Sequence, residues 1–280
     1  MKKSKIVALS GAIVAAALCV LAISGCAVSV KSDNESGVTS ASSGSTTLTV
    51  GFDQDFPPYG YVGDDGKYTG FDLELAQEVC NRNGWTFVAQ PIDWDAKDME
   101  LSSGTINCIW NGFTINGRED QYTWTDPYMD NSQVIVVRKN SGITKLSDLA
   151  GKTVMTQAAS AALTVLQDDE GQKALADTFK TLETTPEYNT AFMELESGAV
   201  DAVAIDLPVA QYQMSEHSDI QILSEELSQE QYGVGFLKGN TEMRDQVEST
   251  LKEMVADGYV KQLCEKYADQ GISYDNWVLK

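Results

Sequence analysis

The chain has 280 residues, enough for one large domain or two lobes of ordinary size, and 42% of them are hydrophobic, as in a folded globular protein. It carries 41 acidic residues against 20 basic ones, a formal net charge of −21. Such a surface repels phosphates, which argues against nucleic acid as a partner. With no CxxC pair and one histidine, His217 in "SEHSD", read as a solvated loop residue, metal ligation is disfavoured as well.

The N-terminal stretch "MKKSKIVALSGAIVAAALCVLAISGCAVSV" starts with Lys2, Lys3 and Lys5 and continues as an apolar run from Ile6 to Ile23. A basic start, an apolar run and small residues before a cut describe a secretory signal over residues 1–25. Hydrophobic-small-small-Cys at "ISGC" resembles a bacterial lipobox, which makes Cys26 the lipidated first residue of the mature chain. The competing reading is an uncleaved transmembrane helix, for which this apolar run is at the lower limit of length. Residues 26–46 are rich in Ser, Gly and Thr without an apolar period, and read as a flexible tether. Cys80, Cys108 and Cys264 remain beyond the signal and the lipidation site. Three is odd, so at most one intramolecular disulfide forms. A Cys80–Cys108 bridge and two buried free thiols both stay open.

Then the folded part begins. "TTLTVGFD" alternates, with Leu48, Val50 and Phe52 on one face, and predicts a strand. Phe71, Leu75 and Val79 stand four apart, with Ala76 and Cys80 beside them, and predict an amphipathic helix that stops near Asn83-Gly84. "WTFVAQPI" predicts a second strand. "DMELSSGTINCIWNGF" predicts a short helix, a Gly turn and a third strand, and "SQVIVVRKN" another strand. The pattern then restarts: "LSDLAGKTVMTQAASAALTVLQDD" reads as turn, strand, tight turn and helix. "TTPEYNTAFMELESGAVDAVAIDLPVAQYQM" reads as helix, strand and helix, with Gly198 ending the first helix. "QYGVGFLKGN" predicts a strand, and two closing helices follow with Gly258 between them; Val247, Leu251 and Met254 mark the buried stripe of the first. Strands alternating with helices predict an α/β fold with mainly parallel pairing. "SGAVDAVAID" echoes "SSGTINCIWNG", which fits two lobes built alike. Ligands in such sheets bind beyond the carboxyl ends of the strands, and two facing lobes make a cleft there.

One short stretch stands out against this acidic background. "NGFTINGRED" holds Arg118, one of only four arginines. Its plain reading is a surface ion pair with Glu119 or Asp120. The alternative is a fixed cation for a ligand carboxylate, since a guanidinium holds a carboxylate with two parallel charge-assisted bonds.

Four stretches, "GFDQDFPPYGYVGDDGKYTGFDLELAQEV", "NGFTINGREDQYTWTDPY", "LAGKTVMTQAAS" and "LESGAVDAVAID", in this order and behind a lipobox, resemble the bacterial extracellular solute-binding proteins for polar amino acids, the binding components of ABC importers. The resemblance covers about residues 47–280. It implies a two-lobed periplasmic-binding-protein-like fold, two α/β lobes joined by a two-strand hinge, with lobe 1 from residues 47–133 and 234–280 and lobe 2 from 134–233. It implies no cofactor and no enzymatic activity. It also implies an amino-acid ligand, an ABC permease as partner, and a lipid anchor on the outer face of the cytoplasmic membrane. By this resemblance Arg118 takes the ligand carboxylate, with Gly112 and Thr114 adding backbone and hydroxyl contacts. "TINGR" is one residue shorter before the arginine than in relatives. Ser160, at a predicted helix N-terminus, adds a hydroxyl or acts as an N-cap; Ala158 stands where relatives commonly have Gly. Asp206 matches the acid for the ligand ammonium, its other reading being an N-cap. Phe56 and Trp94 match an aromatic pair around the ligand side chain, their other reading being core packing. Asp53 matches a position that meets the polar end of that side chain. An acid there suits glutamine, histidine, a basic amino acid or cystine more than glutamate. The alternatives are an enzyme on the same scaffold, such as a small-carboxylate dehydratase, and a sensor-type binding module. The first lacks a Ser-His, Cys-His or H-E-x-x-H constellation in the sequence, and the second requires an attached signalling domain.

Overall fold

A computed structural model describes residues 45–280. The signal, Cys26 and nearly all of the tether lie outside the described residues. Strand β1 (Thr47–Phe52) buries Leu48, Val50 and Phe52, the face its alternation marks. A small antiparallel sheet follows, made of β2 (Asp55–Phe56), β3 (Gly60–Val62) and β4 (Tyr68–Thr69). Helix α1 (Phe71–Asn83) buries Phe71, Leu75, Ala76, Val79 and Cys80 and ends at Gly84, whose φ of 64° is open to glycine at little cost. Next come β5 (Thr86–Pro91), α2 (Lys97–Ser103), β6 (Cys108–Ile109) and β7 (Thr123–Trp124).

The chain then enters β8 (Met129–Arg138), buried along most of its length as the unbroken apolar run "VIVV" requires of a strand covered on both faces. The second half runs β9 (Thr153–Gln157), α3 (Ala161–Gln167), α4 (Lys173–Ala176), β10 (Thr181–Thr185), α5 (Tyr188–Ser197), β11 (Ala202–Asp206), α6 (Leu207–Glu216), β12 (Ile220–Ile222) and β13 (Ser228–Tyr232). Strand β14 (Gly235–Phe236) and helices α7 (Thr241–Ala256) and α8 (Tyr259–Lys266) close the chain.

Two sheets organise these elements. The first has the order β5-β1-β6-β14-β7, the second β10-β9-β11-β8-β12, with β13 also paired to β8. The protein therefore has two α/β lobes. The chain leaves the first sheet after Trp124, joins the second at Met129, leaves it at Tyr232 and returns at Gly235. The stretch "QYGVGFLKGN" is thus not one strand but the end of β13 and all of β14, in different sheets.

Pairing is mixed rather than mainly parallel. Strands β1, β5 and β6 pair parallel, as do β9, β10 and β11, whereas β8, β12, β13, β7 and β14 pair antiparallel. The parallel strands are those joined through helices, and the antiparallel ones include the segments that pass between lobes, where no crossover helix intervenes. The echoed sequences form the same unit twice: α2 ends at Gly104 (φ 81°) before β6, and α5 ends at Gly198 (φ 83°) before β11. Cys80, Cys108 and Cys264 are buried free thiols. His217 is not loose: it caps the C-terminus of α6, stacks on Phe192 at 6.4 Å and sets Nδ1 against the Glu196 carboxylate. No helix among the described residues is long and apolar enough to cross a membrane.

Candidate functional site

Asp53, Phe56, Trp94, Gly112, Thr114, Arg118, Ser160 and Asp206 all line one small cavity between the two sheets; Asn111, Phe113, Gln157 and Ala161 complete the wall. The first lobe contributes from the turn after β1, the segment before α2 and the loop after β6. The second contributes from the carboxyl ends of β9 and β11, where an open α/β sheet exposes its loops.

Arg118 is buried, not paired on the surface with Glu119 or Asp120. Its Nη1 donates to the Thr114 carbonyl at 3.2 Å, its Nη2 to the Ala159 carbonyl at 3.4 Å, and the guanidinium lies over the Phe113 ring at 5.4 Å. No carboxylate among the described residues forms an ion pair with it within 4.0 Å. Burial lowers its pKa from the usual arginine value. A guanidinium has five N–H donors, so a cation held only by neutral carbonyls keeps donors for an anion.

Asp206 ends β11 and stands at the N-cap position of α6, yet its side chain does not cap that helix. It turns instead to Asn131 (2.8 Å), Gln133 (2.7 Å) and the Tyr232 hydroxyl, all of which donate to Oδ1. Burial, reinforced by the nearby Glu230 carboxylate, holds its pKa well above the ordinary carboxylate range. Asp53 accepts from the Asp55 N–H at 2.8 Å and from Gln157 Nε2 at 2.5 Å, and burial pushes its pKa up to about 6. The Gln157 bond ties the two lobes together, as does the donation of Asn189 to Asp55.

Gly112 sits at φ 58°, and an added Cβ would lie 3.2 Å from both Tyr232 and Tyr59. Its N–H is already engaged with Asp72 at 2.6 Å, which leaves its carbonyl as the group it can offer. The Thr114 hydroxyl is likewise engaged, donating to Glu230 at 2.9 Å. Ser160 is the N-cap of α3: its Oγ accepts from the Leu163 N–H at 3.1 Å. Phe56 packs on Tyr59 and Tyr188 at 5.9 and 6.0 Å, and Trp94 packs edge-on against Phe113 at 5.5 Å. Each aromatic therefore combines core contact with a cavity-facing surface.

Several groups around this site carry weaker sequence signals. Gln157 ends β9 as Asp206 ends β11, so its place at a strand's carboxyl end was readable. Asn111 is buried with neither side-chain polar atom partnered. Lys97 is buried, donates to the Trp94 and Ala159 carbonyls at 3.2 and 3.4 Å, and has its pKa lowered to about 8, chiefly by burial. The one sequence hint is that Lys97 precedes Leu101 by four, on the helix face that turns inward. Both Lys97 and Arg118 meet Ala159, a non-glycine residue at φ 57° in the turn between β9 and α3.

The model of the bacterial extracellular solute-binding proteins, family 3, matches residues 48–270. The L-cystine-binding protein TcyJ of Escherichia coli (strain K12) is 30% identical over 244 residues, covering 86% of this chain and 89% of that protein. The arginine-binding extracellular protein ArtP of Bacillus subtilis (strain 168) is 28% identical, covering 80% and 87%. Among solved structures, an ABC uptake transporter substrate-binding protein from Streptococcus pneumoniae with bound histidine superposes with a TM-score of 0.77 at 31% identity, covering 81% of this chain and 94% of that one. With two α/β lobes enclosing a charged cavity and a family match across most of its length, this chain belongs to the bacterial extracellular solute-binding proteins of family 3.

Proposed function

We propose that this chain is the substrate-binding component of an ABC importer and takes one polar amino acid between its two lobes. One observation carries the reading: the Arg118 guanidinium, from the loop after β6, and the Asp206 carboxyl, from the end of β11, line the same cavity from different lobes without pairing with each other. A zwitterion supplies what each lacks. Arg118 takes the α-carboxylate through its remaining N–H donors, Asp206 takes the α-ammonium, and Phe56 and Trp94 flank the side chain. At the side-chain end, Asp53 also borders a groove lined by Asp55, Asp93, Glu100 and Glu187, with no base among its walls. That field favours a donor or a cation, so arginine, histidine, glutamine or cystine fits better than glutamate.

Calorimetry of the purified, refolded protein against a panel of amino acids tests this. Arg118→Ala should lose on the order of 2–5 kcal/mol of binding, since it leaves a buried ligand carboxylate unpaired. A near-wild-type affinity for that variant would remove the carboxylate clamp.

The chain is tethered by lipid at Cys26 to the outer face of the cytoplasmic membrane, a reading supported by "ISGC" behind the apolar run. Fatty-acid labelling of the expressed protein should disappear in Cys26→Ala, which should also leave the signal uncleaved or release the protein from the membrane. Equal labelling in both proteins would refute the anchor.

A further inference from the structure

Behind Asp206 lies a second buried acid with no part in the cavity wall. Strand β8 runs between β11 and β13, with Gln133 in register with Asp206 on one side and Asn131 in register with Glu230 on the other. The two acids thus flank one strand. Asn131 Nδ2 donates to Asp206 Oδ1 and to Glu230 Oε1, at 2.8 Å each. Gln133 Nε2 bridges the same two oxygens at 2.7 and 2.8 Å. Tyr232 adds a donor to Asp206 and Thr114 one to Glu230. Both amides turn their N–H groups to the acids, and as a result Asn131 Oδ1 and Gln133 Oε1 are buried with no donor. The cluster therefore holds acceptors in excess, with two largely buried carboxylates side by side, a combination that one added proton relieves.

We infer that Glu230 is a positioning residue for the ammonium subsite: it keeps a proton on Asp206 while the cavity is empty, and that proton leaves to solvent when an ammonium-bearing ligand enters. The step balances simply. Asp206 Oδ1 already accepts three hydrogen bonds, so the proton belongs on Oδ2, where the ligand ammonium later donates. A neutral carboxyl plus an ammonium becomes a carboxylate–ammonium pair plus one proton in solvent. The inference rests on reading Asp206 as the partner of the ligand ammonium.

Other groups face the pair. The Arg118 guanidinium, from the loop after β6, lies within electrostatic reach of both carboxylates. The phenols of Tyr59, between β2 and β3, Tyr188 at the start of α5 and Tyr232 in β13 also face Asp206, and burial raises the pKa of all three, so they stay neutral. Burial and the Glu230 charge raise the pKa of Asp206.

The sign follows. Below the pH at which Asp206 titrates in the empty protein, binding releases a proton, and affinity rises with pH by up to about tenfold per unit; above it, affinity is flat. Two measurements test this. First, the side-chain carboxyl carbon of Asp206 is titrated by NMR in the ligand-free protein and in Glu230→Gln, which keeps the acceptor oxygen and removes the charge. Wild type should titrate well above the usual aspartate range and the variant at least one pH unit lower. Second, L-arginine and L-glutamine are titrated calorimetrically at pH 6.5 in phosphate and in imidazole, whose different ionisation heats report proton release, expected from wild type and reduced in the variant. Ordinary titration of Asp206, an unmoved midpoint in Glu230→Gln, or binding without proton release would each overturn the inference. A raised midpoint that Glu230→Gln lowers, with neither amino acid bound, would support the acid pair and overturn the ligand reading instead.

Discussion

Asp72 shows how a residue outside the cavity shapes it. It is buried in the first turn of α1, where its Oδ2 accepts from the Gly112 N–H at 2.6 Å and from the Tyr128 hydroxyl at 2.8 Å, pinning the loop that carries Asn111, Gly112 and Thr114. Its Oδ1 has no partner, and burial pushes its pKa up to about 7. Between the unfolded value near 3.9 and about 7, the folded state holds a proton that the unfolded chain lacks. Its stabilising contribution is complete below that window and lost as pH rises through it, by up to about 1.4 kcal/mol per unit. Asp53, at about 6, acts in the same direction. Asp72→Asn keeps an acceptor and removes the charge. Thermal unfolding should show the variant gaining on wild type from pH 4 to 7 and exceeding it at pH 8. Parallel melting-temperature profiles would show that Asp72 does not titrate as described.

At the scale of elements, β8 and the β13–β14 junction decide how the halves can move. Few residues lie between Trp124 and Met129 or between Tyr232 and Gly235, so a change in a few backbone dihedrals at these crossings reorients one sheet against the other. Across the cleft the lobes touch through polar contacts, among them Gln157 with Asp53, Asn189 with Asp55, and Lys97 and Arg118 with the Ala159 carbonyl, and through the ring pairs Tyr61–Tyr212 at 5.9 Å and Phe56–Tyr188 at 6.0 Å. A ligand that reaches both sheets adds further contacts in the closed form alone, shifting the population toward it. Small-angle scattering should therefore give a smaller radius of gyration on saturation with a bound amino acid than in the ligand-free protein. An unchanged radius would indicate a rigid cavity.

At the scale of the whole molecule, a net charge of −21 and a groove of acids beside Asp53 set a field that draws cationic groups toward the cavity and keeps anions away. The sequence by itself determined the alternation of strands and helices, because amphipathic period and Gly stops are local: α1 at Gly84, α5 at Gly198 and the seam before α8 at Gly258 all stand where the pattern sets them. It also marked the eight residues that the fold gathers around one cavity, through motifs in which Arg118 and Asp206 end up on different lobes. Only the tertiary structure decided the rest. Whether β14 pairs with the first sheet or continues β13 depends on partners about a hundred residues away in sequence, which no local period records. The same holds for Glu230: its alternation with Tyr232 turns both inward, but that it meets Asp206 across β8 follows from sheet order. Lys97 and Arg118 converge on the Ala159 carbonyl because the second lobe carries that turn to them, and burial, set by the closed fold and not by neighbours in sequence, moves the proton affinities of Asp53, Asp72 and Lys97 away from their ordinary values.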